Sequence, residues 1–303
     1  MTAAHYQQFE KEFGSLIVGS AKLDTLYEDC RWAEGPCWFG DANQLIWSDI
    51  PNNRMLRWVP DGTVSVFRHN ANYTNGNTRD REGRLITCSH GGRNVTRTEL
   101  DGTVTVLADS YRGRRLNAPN DVVVKSDGSI WFTDPGYGIL SDYEGYKGEF
   151  EQDCCNVFRL DPTTGELEAV VDDFVRPNGI AFSPDEKILY VADSAYSHGP
   201  EHPRHIRAFD IGEDNRLRNG RVFAETDVGL PDGFRLDSMG NLWTSAGDGV
   251  HCFNAAGVLL GKILTPDVVA NVEFGGPRRN RLFICATQRL LSIYVTVNGA
   301  QRP

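Results

Sequence analysis

Six polar side chains recur at one position of a repeated pattern. Glu34, Asn75, Asn120, Asn178, Asp232 and Asn271 each head a stretch of about fifteen residues that holds two short apolar runs joined by a turn. Two of them are carboxylates, four are amides, and none is a Lys or Arg. If the fold gathers them, their oxygens form a cluster that cannot stay dry and unpaired, because uncompensated buried charge is costly. A divalent cation is the simplest remedy. An all-oxygen donor set suits hard ions such as Ca2+, Mg2+ or Mn2+, and two carboxylates balance the 2+ charge. No paired His or Cys lies near these positions to make a zinc site of the usual kind.

The elements that would gather them follow from the repeats. The copies read EGPCWFGDANQLIWSD from Glu34, NGNTRDREGRLITCSH from Asn75, NDVVVKSDGSIWFTD from Asn120, NGIAFSPDEKILYVAD from Asn178, DGFRLDSMGNLWTSA from Asp232 and NVEFGGPRRNRLFICA from Asn271. Between copies come a third and a fourth apolar run, joined by turns such as DG, TTG and AAG that supply the residues tight hairpins need. Four short strands per unit, at a period of roughly 40–58 residues, predict an all-β, six-bladed β-propeller with four-stranded blades. The first strand of each unit then lines the central channel and turns its leading polar residue toward a shared axis. A lone Asn-Gly or Asp-Gly would read as a turn, but six polar residues at one repeat position do not.

The last copy lacks an outer strand. The segment Lys22-Leu23-Asp24-Thr25-Leu26-Tyr27 is expected to supply it, so that an N-terminal strand closes the ring and hides the free edges. The domain organisation that follows is an N-terminal extension over 1–20 and a single propeller domain over 21–303. Insertions at 136–153 and 195–205 both follow the second strand of their units, and insertions in repeat proteins tend to share one face, often the binding face.

Composition narrows the function. A net charge of −10 and a pI near 5.2 argue against nucleic acid as a partner. No apolar run approaches the roughly 18–20 residues of a membrane span, so no membrane partner is expected. The first twenty residues carry Glu10, Lys11 and Glu12 and lack the pattern of a secretory signal, which leads to the expectation of a cytoplasmic protein. Seven Cys form no CxxC pair and read as reduced, small buried hydrophobes, the adjacent Cys154 and Cys155 included. The chain holds neither a GxSxG nucleophile elbow nor a Walker phosphate loop, which turns the reading away from serine esterases and NTPases.

The motifs AEGPCW (33–38), LNAPNDVVV (116–124), RPNGIAFSPD (176–185), LYVADS (189–194) and LPDGFRLDSMGNLW (230–243) resemble, in the same order over roughly 25–295, those of the SMP-30/gluconolactonase/LRE family. The resemblance implies a six-bladed propeller with one catalytic divalent metal in its channel, in a family many of whose members hydrolyse sugar lactones. Matched by motif, it implies Glu34, Asn178 and Asp232 as metal ligands, with Asp232 also the general base. Asn120 would sit beside the metal, touching substrate or completing the shell. Ca2+ is the first choice of ion, with Mg2+, Mn2+, Zn2+ and Fe2+ behind it. The segment TCSHGGRNVTR (87–97) is closer to bacterial and fungal gluconolactonase-like members and places His90 at the channel mouth. His90, Asn75 and Asn120 are the expected substrate contacts. One departure stands out: animal members carry an Arg two positions before the equivalent of Asn120, where this chain has Ala118, so the sugar preference does not carry over. The function expected is metal-dependent hydrolysis of a small-molecule sugar lactone to the aldonic acid. A phosphotriesterase-like or promiscuous ester hydrolase on the same metal centre, and a non-catalytic, metal-stabilised interaction propeller, stand as alternatives.

Overall fold

Strands with bulky apolar side chains on both faces need cover on both faces, and a ring of packed sheets provides it. The computed structural model describes residues 5–300 and is such a ring, so the bounds placed at residues 1 and 303 lie outside the described residues. The first blade pairs Ala33–Phe39, Gln44–Asp49, Arg54–Trp58 and Val64–His69 in that spatial order, and the next four repeats build blades in the same way. In the sixth, Val269–Gly275, Arg281–Ala286 and Arg289–Tyr294 are completed by Asp24–Tyr27, antiparallel to Arg289–Tyr294 with Asp24 opposite Ser292. The innermost strand of each blade packs on that of the next, and the sixth packs on the first.

Hydrophobic cores fill every gap between blades. Trp243 packs with Val272, Phe274, Leu282 and Ile284 between blades five and six, and Trp47 and Trp58 with Phe283 and Cys285 between blades one and six. Trp47, Trp131 and Trp243 are fully buried on the second strands of blades one, three and five. Large aromatic rings suit these gaps because each buries roughly 150–250 Å². Among the described residues no helix is long and apolar enough to cross a membrane.

The glycines that follow the leading polar residues are explained by packing between blades. A methyl group on Gly179 would overlap the carbonyl oxygen of Asp232, and one on Gly233 would overlap the side chain of Asn271. The backbone clasps from blade to blade at these points: Gly76 N donates to Asn120 O (2.7 Å), Gly179 N to Asp232 O (3.1 Å) and Gly233 N to Ala270 O (2.8 Å). Hydroxyls of the second strands brace the same ring, with Ser48 Oγ on Asn75 O and Thr133 Oγ1 on Asn178 O, both at 2.7 Å. The polar heads are therefore fixed to one another across blades.

Two features exceed the sequence expectation. Tyr6–Gln8 adds a fifth strand to blade five against Leu259–Leu264, and Phe13, Leu16 and Ile17 enter the core around Trp243. The seven cysteines are all free thiols, Cys154 and Cys155 among them.

Candidate active site

The strand heads meet at one end of the channel. Glu34, Asn75, Asn120, Asn178 and Asp232 line a cavity of about 340 Å³, within the usual size of a small-molecule site. Asn271, the sixth head, does not line it. Its Nδ2 donates to Glu34 Oε2 at 2.9 Å while its Oδ1 accepts from Val272 N at 2.9 Å, so Asn271 aims the Glu34 carboxylate. Glu34 Oε2 also accepts from Gly35 N at 2.5 Å. The five lining heads are each buried or nearly so: Glu34, Asn75, Asn120 and Asn178 are 3–5% exposed.

Crowded carboxylates in a low-dielectric floor resist ionisation. Burial, helped by the charge of Asp121, pushes Glu34 up to about 8 even though the Asn271 hydrogen bond pulls the other way. Burial and then the charges of Glu34, Asp121 and Glu144 push Asp232 well above the ordinary range, against the Asn178 amide that hydrogen-bonds to it. Asn75 Oδ1 and Asn178 Oδ1 are buried with no hydrogen-bond partner. Two carboxylates that lack a counter-charge, beside the Asn178 oxygen that lacks a donor, are what a hard divalent cation would satisfy at once, and the Asn75 oxygen is left to accept from a ligand hydroxyl. The donor set fits such an ion.

His90 corrects the sequence reading. It is fully buried, does not line the cavity, and spends both ring nitrogens on the protein. Nδ1 lies 3.0 Å from Glu144 O, an acceptor only, so it carries the proton, and Nε2 accepts from Asn75 Nδ2 at 3.3 Å. That arrangement turns Asn75 Oδ1 away from the imidazole. His90 thus positions Asn75 and the backbone at Glu144, and is not placed to touch substrate. Burial lowers its pKa to about 4, whereas the unfolded chain takes up the proton near 6.5. The stability this neutral ring contributes is full above pH 6.5 and is lost as the pH falls toward 4, at up to about 1.4 kcal/mol per pH unit. Urea unfolding of wild type and His90→Gln between pH 7 and 4.5 is expected to show a shallower loss in the variant. Equal slopes would contradict it.

Both insertions reach the site. The 136–153 segment brings Tyr137 and Glu144 to the wall, and the 195–205 segment brings Ser197. Sequence reasoning did not single these residues out, and the length of the insertions was the only signal. It also missed the opposite wall, which is apolar: Trp32, Ile50, Leu230, Val268 and Val269. Ala118 is fully buried, and Asp134 Oδ1 accepts from its backbone N at 2.7 Å, so that position contributes nothing to the wall.

A larger cavity of about 800 Å³ opens at the other end of the channel, where the Glu186 carboxylate is already matched. Arg81 pairs with Glu186 at 3.1 Å, and Ser126 N donates to the same carboxylate at 2.9 Å. Between the two cavities lies a closed ion cluster: Arg235 Nε to Glu273 Oε2 at 2.9 Å and Nη1 to Asp121 Oδ2 at 3.7 Å. A further acidic group, Asp227, Asp248 and His251, is filled by the ammonium of Lys262, 2.7 Å from Asp227 and 2.9 Å from Asp248. That ammonium already supplies the positive charge a metal would bring.

With this geometry in hand, comparison with known proteins is decisive for the family. Residues 32–288 match the SMP-30/Gluconolactonase/LRE-like region. The chain belongs to this family. A gluconolactonase of Zymomonas mobilis is 30% identical, over 98% of this chain and 88% of its own length. The pentonolactonase XacC of Haloferax volcanii is 29% identical over 84% of this chain and 81% of its own. Among solved structures, a gluconolactonase of Xanthomonas campestris is 40% identical and superimposes with a TM-score of 0.90, covering 96% of this chain and 94% of that one. The six-bladed propeller is therefore the family fold, and the family reading made from the motifs stands.

Proposed function

We propose that this protein is a metal-dependent lactonase that opens a sugar lactone, in the manner of a gluconolactonase, to the aldonic acid. The observation that supports the reading is the cavity floor, where Glu34, Asn178 and Asp232 line a space of small-molecule size and the Asn178 oxygen is buried without a partner. The names of the related gluconolactonases and pentonolactonase support the substrate class. The phosphotriesterase-like and non-catalytic alternatives have no such support.

A divalent ion held by Glu34, Asn178 and Asp232, with Ca2+ the first candidate, would supply Lewis-acid polarisation of the ester carbonyl. The remaining steps belong to the chain. Asn120 and Asn75 orient the ring in the cavity, and the apolar wall of Ile50, Leu230, Val268 and Val269 excludes bulk water from one side. As water adds to the carbonyl carbon, its proton passes to the Asp232 carboxylate. The bond from that carbon to the ring oxygen then breaks, and the proton is delivered to the departing oxygen, leaving an acid and a free hydroxyl.

The experiment is direct. Purified protein loaded with Ca2+ or Mn2+ is given D-glucono-1,5-lactone and pentono-1,4-lactones, with acid release followed by a pH indicator. Hydrolysis is expected that stops on chelation and returns when the ion is restored. Full activity in protein shown by elemental analysis to be metal-free would overturn the metal dependence, and no activity on any of these lactones would overturn the lactonase reading.

A further inference from the structure

The cavity is two-sided. Along blades five, six and one its wall is apolar, with Leu230, Val268, Val269, Ile50 and Trp32, whereas the side toward blades two to four carries the polar groups. Above the floor oxygens, Glu144 is the charged side chain of that wall. Among the described residues no protein donor reaches its carboxylate, and burial alone pushes it up to about 7. An acidic group that is largely desolvated, opens into a cavity and lacks a partner is arranged for a polar ligand.

Its position is fixed from several directions. His90 Nδ1 donates to Glu144 O at 3.0 Å. Lys147 N donates to Asp142 Oδ1 at 2.9 Å, and Gly148 N to Ile139 O at 3.0 Å, which closes the insertion on itself. Tyr146 stands edge-on to Tyr73 of blade two at 5.2 Å, and Gln152 Nε2 donates to the carbonyls of Arg114 and Arg115 at 2.9 and 3.0 Å. An insertion tied to its neighbours at this many points presents Glu144 as part of a preformed wall.

We propose that Glu144 reads the hydroxylated edge of the substrate: its carboxylate accepts hydrogen bonds from ring hydroxyls and so selects polyhydroxylated lactones over plain cyclic esters. The less hydroxylated edge of the ring then faces the apolar wall. This assignment rests on the lactonase reading and adds to it the group that sets substrate choice.

The test compares wild type, Glu144→Gln and Glu144→Ala on D-glucono-1,5-lactone and on δ-valerolactone, which has the same ring size and no hydroxyls. The ratio of kcat/KM for gluconolactone to that for valerolactone is expected to fall about tenfold or more in Glu144→Ala, the scale of a lost hydrogen bond to a charged acceptor, with most of the change in KM. Glu144→Gln, which keeps shape and one acceptor, is expected to fall between. Ca2+ affinity by calorimetry is expected to stay within about threefold. An unchanged ratio in Glu144→Ala overturns the assignment, and a collapse of Ca2+ affinity makes Glu144 a ligand of the ion instead. If wild type opens neither lactone, the lactonase reading fails first. Calorimetric binding of D-glucitol to wild type and Glu144→Ala then decides the role of Glu144 separately, with equal affinities counting against it.

Discussion

Asp232→Asn is expected to lower kcat for lactone opening by about 10²–10⁴-fold at saturating divalent ion, the range set by loss of a positioned general base. The argument starts from isostery. Asn keeps the size of the side chain and one oxygen donor, and Asp232 N still donates to Ser245 Oγ at 2.8 Å, so the backbone at the strand head holds its place. What is lost is the ability to accept a proton from attacking water. Weakened ion binding is a separate effect that added metal can offset, because affinity follows concentration and proton acceptance does not. Glu34→Gln is the matched control. It removes a carboxylate from the same floor, and Asn271 continues to hold the side chain there, so its principal effect is expected on ion affinity. Steady-state kinetics with metal content verified at each concentration distinguishes the two. Recovery of Asp232→Asn to within tenfold of wild type at saturating ion would reduce Asp232 to a ligand.

The parts of this site that were legible in the amino-acid sequence are those that repeat. Glu34, Asn75, Asn120, Asn178 and Asp232 stood out because one position recurs in every blade, and repetition converts a weak local signal into a statement about the axis. The closing strand Asp24–Tyr27 was legible for the same reason, since one copy was visibly a strand short. The glycines after the polar heads were legible as a pattern but not as a cause, because close approach between blades leaves no mark on a single strand. His90 was placed in the channel by its neighbourhood in sequence. Its partners, Asn75 and the Glu144 carbonyl, lie 15 and 54 residues away, and only the folded ring shows that both nitrogens are spent. Glu144 lies inside an insertion, outside the positions that repeat from blade to blade, so no comparison of the copies could bring it forward. Tyr6–Gln8 escaped for want of alternation: Tyr-Gln-Gln becomes a strand because the edge of blade five is there to pair with.

Arg235→Ala is expected to destabilise the fold by about 3–5 kcal/mol, as removal of one member of a buried ion cluster typically does. Arg235 sits on the inner strand of blade five, Phe234–Leu236, three residues after Asp232, and its side chain is 4% exposed. Burial would lower its pKa, but the carboxylates of Asp121 and Glu273 outweigh that and raise it, so the guanidinium stays charged. Both carboxylates are themselves pushed upward by burial; the Arg235 guanidinium, joined at Glu273 by the charge of Arg279, pulls them back, and it also donates to Phe234 O at 2.9 Å. Remove it, and two buried acids face each other beneath a floor that already carries Glu34 and Asp232. The same reasoning separates the cost of breaking the cluster from its worth when intact. Replacing all three members by uncharged residues of similar size, as in Asp121→Asn, Arg235→Met and Glu273→Gln together, is expected to recover much of the loss, since the desolvation of the charges is then avoided as well. Equilibrium urea unfolding of the single and triple variants measures both quantities. A single variant within about 1 kcal/mol of wild type would show that water reaches the carboxylates from the rear cavity, and that Arg235 does not close the channel between its two ends.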